Sequence, residues 1–334
     1  LGPEQAPALR RPGLGRGQVW QAGSGARLGP ERGLCKILGM SKTDALSYFR
    51  WVGSKARIVN KLLPLFPAQI TDLFVSPFLG GGALELALLA GPAKDCARIV
   101  LSDQNPHLCA AWRMGVVSDP VAITNLFERL RWHESEDKRD PVMAFSNARC
   151  ETPREDWERA ARFLYLNQGA WHGLWRENGS GSMNAPREDT RKTFRAQIMI
   201  DKVLALREFL APFRGRIEIL CRDFALTLSD PDMDRAVAYL DPPYLPQPRD
   251  KPNSRDFTKY GSKGFGKTAH KHLASLARRP RLCVVSNSDT PTTRQIYVHA
   301  KATHEIKITH AVGQKAESRI PVGEVAMVFE RAGS

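Results

Sequence analysis

Tyr239-Leu240-Asp241-Pro242-Pro243-Tyr244 follows the short apolar run Ala236-Val237-Ala238. The apolar run predicts a buried strand, and the two prolines predict that this strand stops at a rigid turn. Proline fixes φ and lacks a backbone N–H, while its carbonyl stays available as an acceptor. The turn therefore puts a carboxylate, carbonyl acceptors and an aromatic ring at the C-terminal end of a strand, where open α/β sheets bind their ligands.

This combination suits a planar ligand that carries an exocyclic amine. The carboxylate of Asp241 and a proline carbonyl would accept from the NH2 group, and the ring of Tyr244 would stack on the face of the ligand. The alternative is a surface Asp-Pro turn after an edge strand. The turn alone favours neither interpretation, so the rest of the chain has to decide.

Composition narrows the choice. The 334 residues, 42% of them hydrophobic, are enough for one large domain or two modest ones. A net charge of +14 indicates a polyanionic partner, nucleic acid ahead of an anionic membrane, unless the basic surface serves only solubility. No apolar run reaches ~18 residues, so no membrane span is predicted. Six cysteines without a Cys-x-x-Cys pair fit a reducing cytosol and predict neither a zinc site nor a disulfide framework.

The N-terminal segment differs from everything after it. Residues 1–39 are rich in glycine, proline and arginine and show no periodic apolar pattern. Such a segment buries too little surface to offset its chain entropy, and it lacks the continuous apolar core of a signal peptide. We interpret residues 1–40 as a disordered leader or a non-native extension, because Met40 resembles a natural start.

A strand–turn–helix unit is predicted over residues 72–85. Its glycines Gly80-Gly81-Gly82 let the backbone approach a ligand closely and offer amides at a helix start. The next strand is predicted to end at Asp103, 23 positions after Gly80, where a ribose-binding carboxylate belongs in a nucleotide-binding βαβ unit. Asp103 could instead cap a helix or close a turn. The glycine turn and the acid together favour an adenosine-type ligand.

The pattern becomes helical between residues 120 and 210, with helices predicted around 125–130 and 157–166. The loop that follows them, 167–186, mixes aromatics, amides and Arg176, as a surface that reads nucleic acid would. One of its two tryptophans, Trp171 or Trp175, is expected to pack in the core instead.

Strand patterns resume at 216–224, 281–287 and 324–329. Residues 245–272 form a basic stretch with interleaved aromatics, which we interpret as a lid or binding loop, or else as a solvated loop.

In their order along the chain, these segments resemble the Dam-type DNA adenine-N6 methyltransferases over about residues 46–330. So many matches in order make a specific signal. The matching motifs are Trp51-Val52-Gly53-Ser54-Lys55, Pro77-Phe78-Leu79-Gly80-Gly81-Gly82, Asp103, Asp223-Phe224, Asp241-Pro242-Pro243-Tyr244, Asp256-Phe257-Thr258-Lys259-Tyr260 and Val285-Ser286-Asn287-Ser288-Asp289-Thr290. The chain departs from the family at Ser76, where an acid is usual, and at Arg187-Glu188, where an aromatic and a glycine are usual.

The resemblance implies an α/β fold: a Rossmann-like S-adenosylmethionine-dependent methyltransferase sheet with an inserted, mostly helical target-recognition domain. The catalytic domain would comprise residues 41–118 and 212–332, and the recognition domain residues 119–211. The implied cofactor is S-adenosylmethionine, and the implied partner is double-stranded DNA in the cytoplasm, at the nucleoid. No metal and no membrane are expected, and a restriction endonuclease partner is left open.

The resemblance also implies roles. An adenine would be flipped out of the duplex, its amine held by Asp241 and the Pro242 carbonyl, for direct in-line methyl transfer at a short GATC-like site. The implied catalytic residues are Asp241, Pro242, Pro243 and Tyr244. The implied cofactor-binding residues are Trp51, Lys55, Phe78, Gly80, Gly82, Asp103, Asp223, Phe224 and Asp241. The implied DNA-binding residues include three lysines of the basic stretch. They are Trp171, His172, Leu174, Arg176, Asn178, Pro186, Lys259, Lys263 and Lys267.

Alternative functions remain open at this point. A cytosine-N4 methyltransferase would use the same geometry, although aspartate before Pro-Pro-Tyr favours adenine where serine would favour cytosine. An RNA or protein-glutamine methyltransferase fits the loop 167–186 less well. From another class, the chain could be a non-catalytic DNA-binding protein on a degenerate methyltransferase fold, but of the cofactor and catalytic motifs only Ser76 departs from the family.

Overall fold

The computed structural model describes residues 48–179, 181–190, 192–245, 265–307 and 323–331. The N-terminal leader lies outside these ranges. So does most of the basic stretch, including Lys259 and Lys263.

The described strands form one mixed sheet in the order β3-β2-β1-β4-β5-β7-β6. Strands β1 to β5 run parallel, and β7 lies antiparallel between β5 and β6. The bounds are β1 Leu73–Ser76, β2 Arg98–Asp103, β3 Ile217–Cys221, β4 Ala236–Leu240, β5 Leu282–Ser288, β6 Ala302–Lys307 and β7 Gly323–Glu330. The predicted α/β class and the methyltransferase-type sheet are confirmed.

The two central strands are buried on both faces, as parallel strands covered by helices must be. Alternate side chains of β4 enter two different hydrophobic clusters. Val237 and Tyr239 point to one side of the sheet, and Ala236, Ala238 and Leu240 to the other. This two-sided burial explains why β4 has a continuous apolar run rather than an alternating pattern.

The strand order reverses between β1 and β4. From β1 the chain moves outward to β2 and β3, then returns across the sheet to β4 and continues to β5 in the other direction. In doubly wound sheets the ligand crevice forms at this reversal, beyond the carboxyl ends of the strands. Here β1 ends at Ser76 and β4 at Leu240, so the glycine turn and Asp241 meet at that point.

Several helices begin at an Asp-Pro or Asn-Pro pair, in which the first residue caps the helix and proline takes the first helical position. Asn105, Asp119 and Asp140 each accept backbone N–H groups in this way. The helices are α1 Val59–Leu62, α2 Ala83–Ala90, α3 Pro106–Arg113, α4 Pro120–Arg139, α5 Pro141–Cys150, α6 Asp156–Gly169, α7 Ala196–Leu210, α8 Phe224–Thr227, α9 Lys267–Leu276 and α10 Pro291–Ile296. None of the described helices is both long and apolar enough to cross a bilayer.

Helices α3 to α7 lie between β2 and β3 in the chain, and α4 to α7 fall within the predicted recognition domain. Buried side chains of these helices, such as Leu126 and Phe163, belong to the same hydrophobic cluster as Val237 and Tyr239 on one side of β4. The predicted recognition domain therefore shares a core with the sheet. The domain boundaries at 118/119 and 211/212 stay a prediction.

Two secondary-structure expectations need correction. The predicted loop 245–272 is wrong at its end, because α9 begins at Lys267; its buried side chains His270 and Leu273 lie three residues apart on one helix face. Strand β6 was not expected at all. Among the described strands it lies at the edge of the sheet and pairs with β7 alone, and its polar sequence has no apolar run to mark it.

Candidate active site

A cavity of about 610 Å3 opens at the carboxyl ends of β1 and β4. This volume lies within the ~300–1,000 Å3 usual for sites that enclose a small molecule. Its walls come from segments that are far apart in the sequence. They are the loop before α1, the glycine turn, the end of β2, the loop 167–186 (the predicted recognition loop), the Asp-Pro-Pro-Tyr turn and the start of β7.

Asp241 and Lys55, which both line the cavity, form an ion pair. Lys55 Nζ lies 2.9 Å from Asp241 Oδ2, and both side chains are largely buried. The same ammonium group donates to the Gly53 carbonyl at 2.6 Å and lies 4.8 Å from the centre of the Tyr244 ring. The two motifs predicted to be functional, around Lys55 and Asp241, are therefore in direct contact.

The other oxygen of this carboxylate is unpaired. Asp241 Oδ1 is buried and accepts no hydrogen bond from the described residues. A buried acceptor without a donor costs free energy, so such an atom in a cavity is a place for a ligand donor. Burial raises the Asp241 pKa to about 6 despite the attraction of Lys55, so the carboxylate is ionised at neutral pH.

The two proline carbonyls of the turn differ. The Pro243 carbonyl accepts from His270 Nε2 at 3.0 Å, and His270 Nδ1 lies 2.9 Å from the Tyr297 hydroxyl. Of the two, the Pro242 carbonyl has no partner within the described ranges, so its role as a ligand acceptor stays a prediction.

Tyr244 is held by an acid that the sequence did not single out. Its hydroxyl donates to Glu324 Oε2, at the start of β7, at 3.0 Å. Both residues line the cavity. Because Glu324 comes from a strand on the far side of β5, it reaches Tyr244 only in the folded sheet.

The glycine turn is clamped between two tryptophans. Gly80 and Gly82 adopt positive φ angles of 46° and 66°. A Cβ atom on Gly80 would lie 2.7 Å from Trp51 Nε1, and one on Gly82 would lie 2.3 Å from the Trp112 ring. Glycine is required here both by the backbone conformation and by the close tryptophan packing.

Asp103 supports this turn from the end of β2. Its Oδ2 accepts from the Gly80 amide at 3.1 Å, and its Oδ1 accepts from the Asn105 amide at 3.0 Å. Asp103 therefore does stabilise a turn, which was the alternative interpretation of this residue. Asp103 also lines the cavity, where its remaining lone pairs can accept from ribose hydroxyls.

Aromatic rings form another wall of the cavity. Phe78 stacks on Phe224 with ring centres 5.5 Å apart, and Phe265 contacts both edges-on. A flat apolar wall of this kind suits an adenine ring. Asp223 does not line the cavity; it caps α8 through the Ala225 amide and accepts from Gln104.

The recognition loop presents alternate residues in opposite directions. Trp175 and Glu177 line the cavity and are joined by a hydrogen bond of 2.9 Å, whereas Arg176 between them is exposed. Arg176 Nε donates to Asn184 Oδ1 at 2.7 Å, and Nη2 donates to the Asn184 carbonyl. The guanidinium is therefore held in place at the surface. Trp175 is the buried tryptophan of the pair, as predicted for one of them.

The unusual Arg187-Glu188 pair has a structural role. Glu188 Oε2 accepts from Arg50 Nη1 at 3.0 Å, and Ala170 pairs with Arg187 in a short bridge. Asn167 Nδ2 donates to the carbonyls of Arg50 and Gly173. These contacts tie the recognition loop to the residues just before Trp51.

The other predicted DNA-binding residues within the described ranges do not line the cavity. His172 is exposed with a left-handed φ of 51°, and its ring centre lies 4.2 Å from that of Trp171. Leu174 is half-buried against the core. Asn178, Pro186 and Lys267 are exposed.

Sequence reasoning missed cavity residues on three elements: Glu85, Phe265 and Glu324. Glu85 and Glu324 share a signal that could have found them, since each is an acid in an otherwise apolar stretch. Glu177 also lines the cavity, and nothing in its sequence surroundings marks it in this way. No cluster of His, Cys, Asp or Glu among the described residues could hold a metal ion.

Residues 51–311 match the family model of the D12 class N6 adenine-specific DNA methyltransferases. The chain belongs to this family. The resemblance to adenine-N6 methyltransferases is thereby confirmed, and the chain is an adenine-specific DNA methyltransferase with S-adenosylmethionine as methyl donor and DNA as substrate.

Individual relatives of the chain are also named as methylases or methyltransferases. The chain is 28% identical to a DNA adenine methylase of Haemophilus influenzae, over 84% of this chain and 93% of that protein. It is 26% identical to a type II methyltransferase, M1.LlaDCHI, of Lactococcus lactis subsp. cremoris, over 86% and 97%. The solved rRNA methyltransferase aviRa of Streptomyces viridochromogenes superposes with a TM-score of only 0.32 at 14% identity, over 82% of each chain, which is too low to carry an argument.

The residues at hand fit this cofactor. The open face of Asp103 suits a ribose, the phenylalanine wall suits an adenine, and the turn clamped by Trp51 and Trp112 leaves backbone against the cavity. The acidic groups at the Asp241 end suit a cationic ligand.

Proposed function

We propose that this enzyme flips an adenine out of double-stranded DNA and holds it against the Asp241–Tyr244 turn while its N6 is methylated. The observation that carries the proposal is the buried Asp241 Oδ1, which has no hydrogen-bond partner among the described residues and lies in the same turn as the Pro242 carbonyl. An adenine amine has two hydrogens, and these two acceptors can take both. An amine inside a duplex cannot reach a cavity at the sheet, so the base must leave the stack.

In this proposal each residue has a physical task. Asp241 and the Pro242 carbonyl accept the amine hydrogens, which orients the nitrogen and raises its electron density. Tyr244, held by Glu324, stacks on the base. S-adenosylmethionine supplies an electrophilic methyl group when it is bound. Direct transfer then needs position more than a covalent nucleophile, and no cysteine lies in the Asp241–Tyr244 turn.

For the cofactor we propose Asp103 at the ribose, with Phe78 and Phe224 at the adenine. Lys55 and the turn around Gly80 and Gly82 would lie at the methionine end, with Trp51 supporting that turn. Asp223 acts indirectly in this scheme, by capping the helix that carries Phe224.

For DNA we propose that Arg176 reads a guanine edge next to the target adenine, within a short GATC-like site. A guanidinium binds guanine O6 and N7 with two parallel bonds, the commonest specific contact in the major groove. Trp171 and His172 would wedge beside the flipped base, and Lys259, Lys263 and Lys267 would contact phosphates. The net charge of +14 supports a polyanionic partner. We propose that the enzyme acts in the cytoplasm, on nucleoid DNA.

The test is methyl transfer from labelled cofactor to duplex DNA, followed by identification of the modified base. We expect N6-methyladenine, and Asp241→Ala should abolish transfer while cofactor binding stays largely intact. In the same duplexes, 2-aminopurine at the target position should brighten on binding, because an unstacked base is no longer quenched. Near-normal turnover in the alanine variant would contradict the role of Asp241, and N4-methylcytosine as product would contradict adenine as the target.

A further inference from the structure

Glu85 is a buried carboxyl group in a helix that is otherwise apolar. Helix α2 reads Ala-Leu-Glu-Leu-Ala-Leu-Leu-Ala, and Glu85 stands in its first turn, directly after the glycine turn. Its side chain is only 3% exposed, and it lines the cavity. Packing in a core would be served better by another leucine, so an acid at this position indicates a ligand or a partner.

Within the described chain the partner is a neutral group. Ser76 Oγ, at the end of β1, donates to Glu85 Oε1 at 2.7 Å. Among the described residues no cation forms an ion pair with Glu85. The cation that acts on it electrostatically, Lys55, is bound to Asp241 at 2.9 Å. The carboxyl group is thus hydrogen-bonded but not neutralised.

This arrangement is costly for the ionised form. Burial raises the pKa of Glu85 to about 7, and the nearby Asp241 carboxylate raises it further than Lys55 lowers it. A ligand cation beside Glu85 would offset this cost, since a buried charge is tolerated when it is paired. The chemistry around Glu85 therefore suits a positive group of a ligand.

We propose that Glu85 binds the α-ammonium group at the methionine end of the cofactor, with Ser76 orienting its carboxylate. The proposal rests on the cofactor orientation given above, in which Asp103 holds the ribose and the methionine end lies towards Lys55. An ammonium group donates hydrogen bonds, so a carboxylate fixed by one hydroxyl can accept from it with its remaining lone pairs. Ser76 stands where the family usually has an acid, and Glu85 brings a carboxylate to the same place from the adjoining helix.

The experiment compares three ligands by calorimetry on the wild type and on Glu85→Gln. S-adenosylmethionine carries both the ammonium and the sulfonium charge, S-adenosylhomocysteine carries only the ammonium, and 5′-methylthioadenosine carries neither. We expect Glu85→Gln to weaken the first two by roughly ten- to a hundredfold, as loss of a charge-assisted hydrogen bond does, and to leave the third unchanged.

Thermal unfolding of the ligand-free proteins provides a second readout. Glutamine keeps the shape of Glu85 and removes a buried charge, so the variant should unfold at the same temperature as the wild type or higher. Lower stability with unchanged ligand affinity would make Glu85 a structural residue and overturn the proposal. Weakened binding of S-adenosylmethionine alone would also overturn it, because the partner would then be the sulfonium. If the wild type bound none of the three ligands, the proposed cofactor site itself would fail.

Discussion

At the scale of single residues, the ionisation of Asp241 is set by opposing neighbours. Burial raises its pKa to about 6, Lys55 lowers it, and Glu324 raises it. In the proposed mechanism this carboxylate must be ionised to accept an amine hydrogen without donating one of its own. If Asp241 binds the target amine as proposed, we expect these neighbours to set the lower limit of the pH range in which the enzyme works.

We expect the single-turnover methylation rate to fall as the pH drops through about 6 and to level off above it. Lys55→Met removes the attractive charge, so the acid limb should move to higher pH. Glu324→Gln removes a repulsive charge but keeps an acceptor for Tyr244, so the limb should move to lower pH. The assay needs saturating cofactor, because the pKa of Glu85 is about 7 and its ionisation is expected to change cofactor affinity over the same pH range. Shifts in the same direction for both variants would show that another group sets the limb.

At the scale of elements, α9 pins the Asp-Pro-Pro-Tyr turn through His270. Burial lowers the pKa of this histidine to about 4, so the ring is neutral at neutral pH and has a single N–H. A carbonyl can only accept, so Nε2–H donates to Pro243 and Nδ1 accepts from the Tyr297 hydroxyl. The helix thereby holds the turn from behind while the Pro242 carbonyl stays free.

His270→Ala should destabilise the fold by roughly 2 kcal/mol or more, because it leaves a buried carbonyl and a buried hydroxyl without partners. Tyr297→Phe is the matched control. It removes one of the same two hydrogen bonds and should cost only about 1 kcal/mol. Urea unfolding measures both. If the two variants lose equal stability, the bond to Pro243 contributes nothing and the turn is held by other contacts.

The recognition loop combines a surface arginine with a fixed support. Asn184 holds the Arg176 guanidinium by two hydrogen bonds, so less rotamer freedom is lost when a base is bound. We expect Arg176→Ala to reduce the preference for guanine beside the target adenine by roughly ten- to a hundredfold, and Asn184→Ala to reduce it by less. The measurement is the methylation rate on duplexes that differ only at that base pair, at fixed salt.

Neutralising Lys259, Lys263 and Lys267 together is the contrasting change. Phosphate contacts add affinity on every sequence and steepen the salt dependence, so binding to cognate and random DNA should weaken alike. The slope of log K against log salt should flatten in that variant and stay nearly unchanged in Arg176→Ala. If Arg176→Ala lowers the rates on all duplexes equally, the arginine is a phosphate contact and the GATC-like site loses its main support.

At the scale of the whole molecule, the site is assembled at the reversal of strand order. Lys55 and Glu324 are far apart in the chain, yet in the folded protein the charges of both change the pKa of Asp241. Helices α4 to α7 share a hydrophobic cluster with the sheet, and the loop 167–186 reaches the cavity through Trp175 and Glu177. The cavity and the predicted recognition loop are therefore parts of one packed structure.

The sequence by itself determined the local elements and the identity of the family. The apolar runs at β1, β2, β4 and β5, the glycine turn and the Asp-Pro-Pro-Tyr turn each depend on residues adjacent in the chain, so their patterns can be read directly. The Asp-Pro and Asn-Pro helix starts are equally local signals. Polar β6 carried no such pattern, and α9 was hidden within a basic stretch.

Only the tertiary structure decided which of these segments meet. The antiparallel place of β7 brings Glu324 to Tyr244, the strand reversal brings Lys55 to Asp241, and the end of β1 brings Ser76 to Glu85. Strand order and side-chain contacts depend on pairings between distant residues, which periodicity does not encode. For the same reason the ionisation of Asp241 and of Glu85, which burial controls, follows from the fold and not from the motifs.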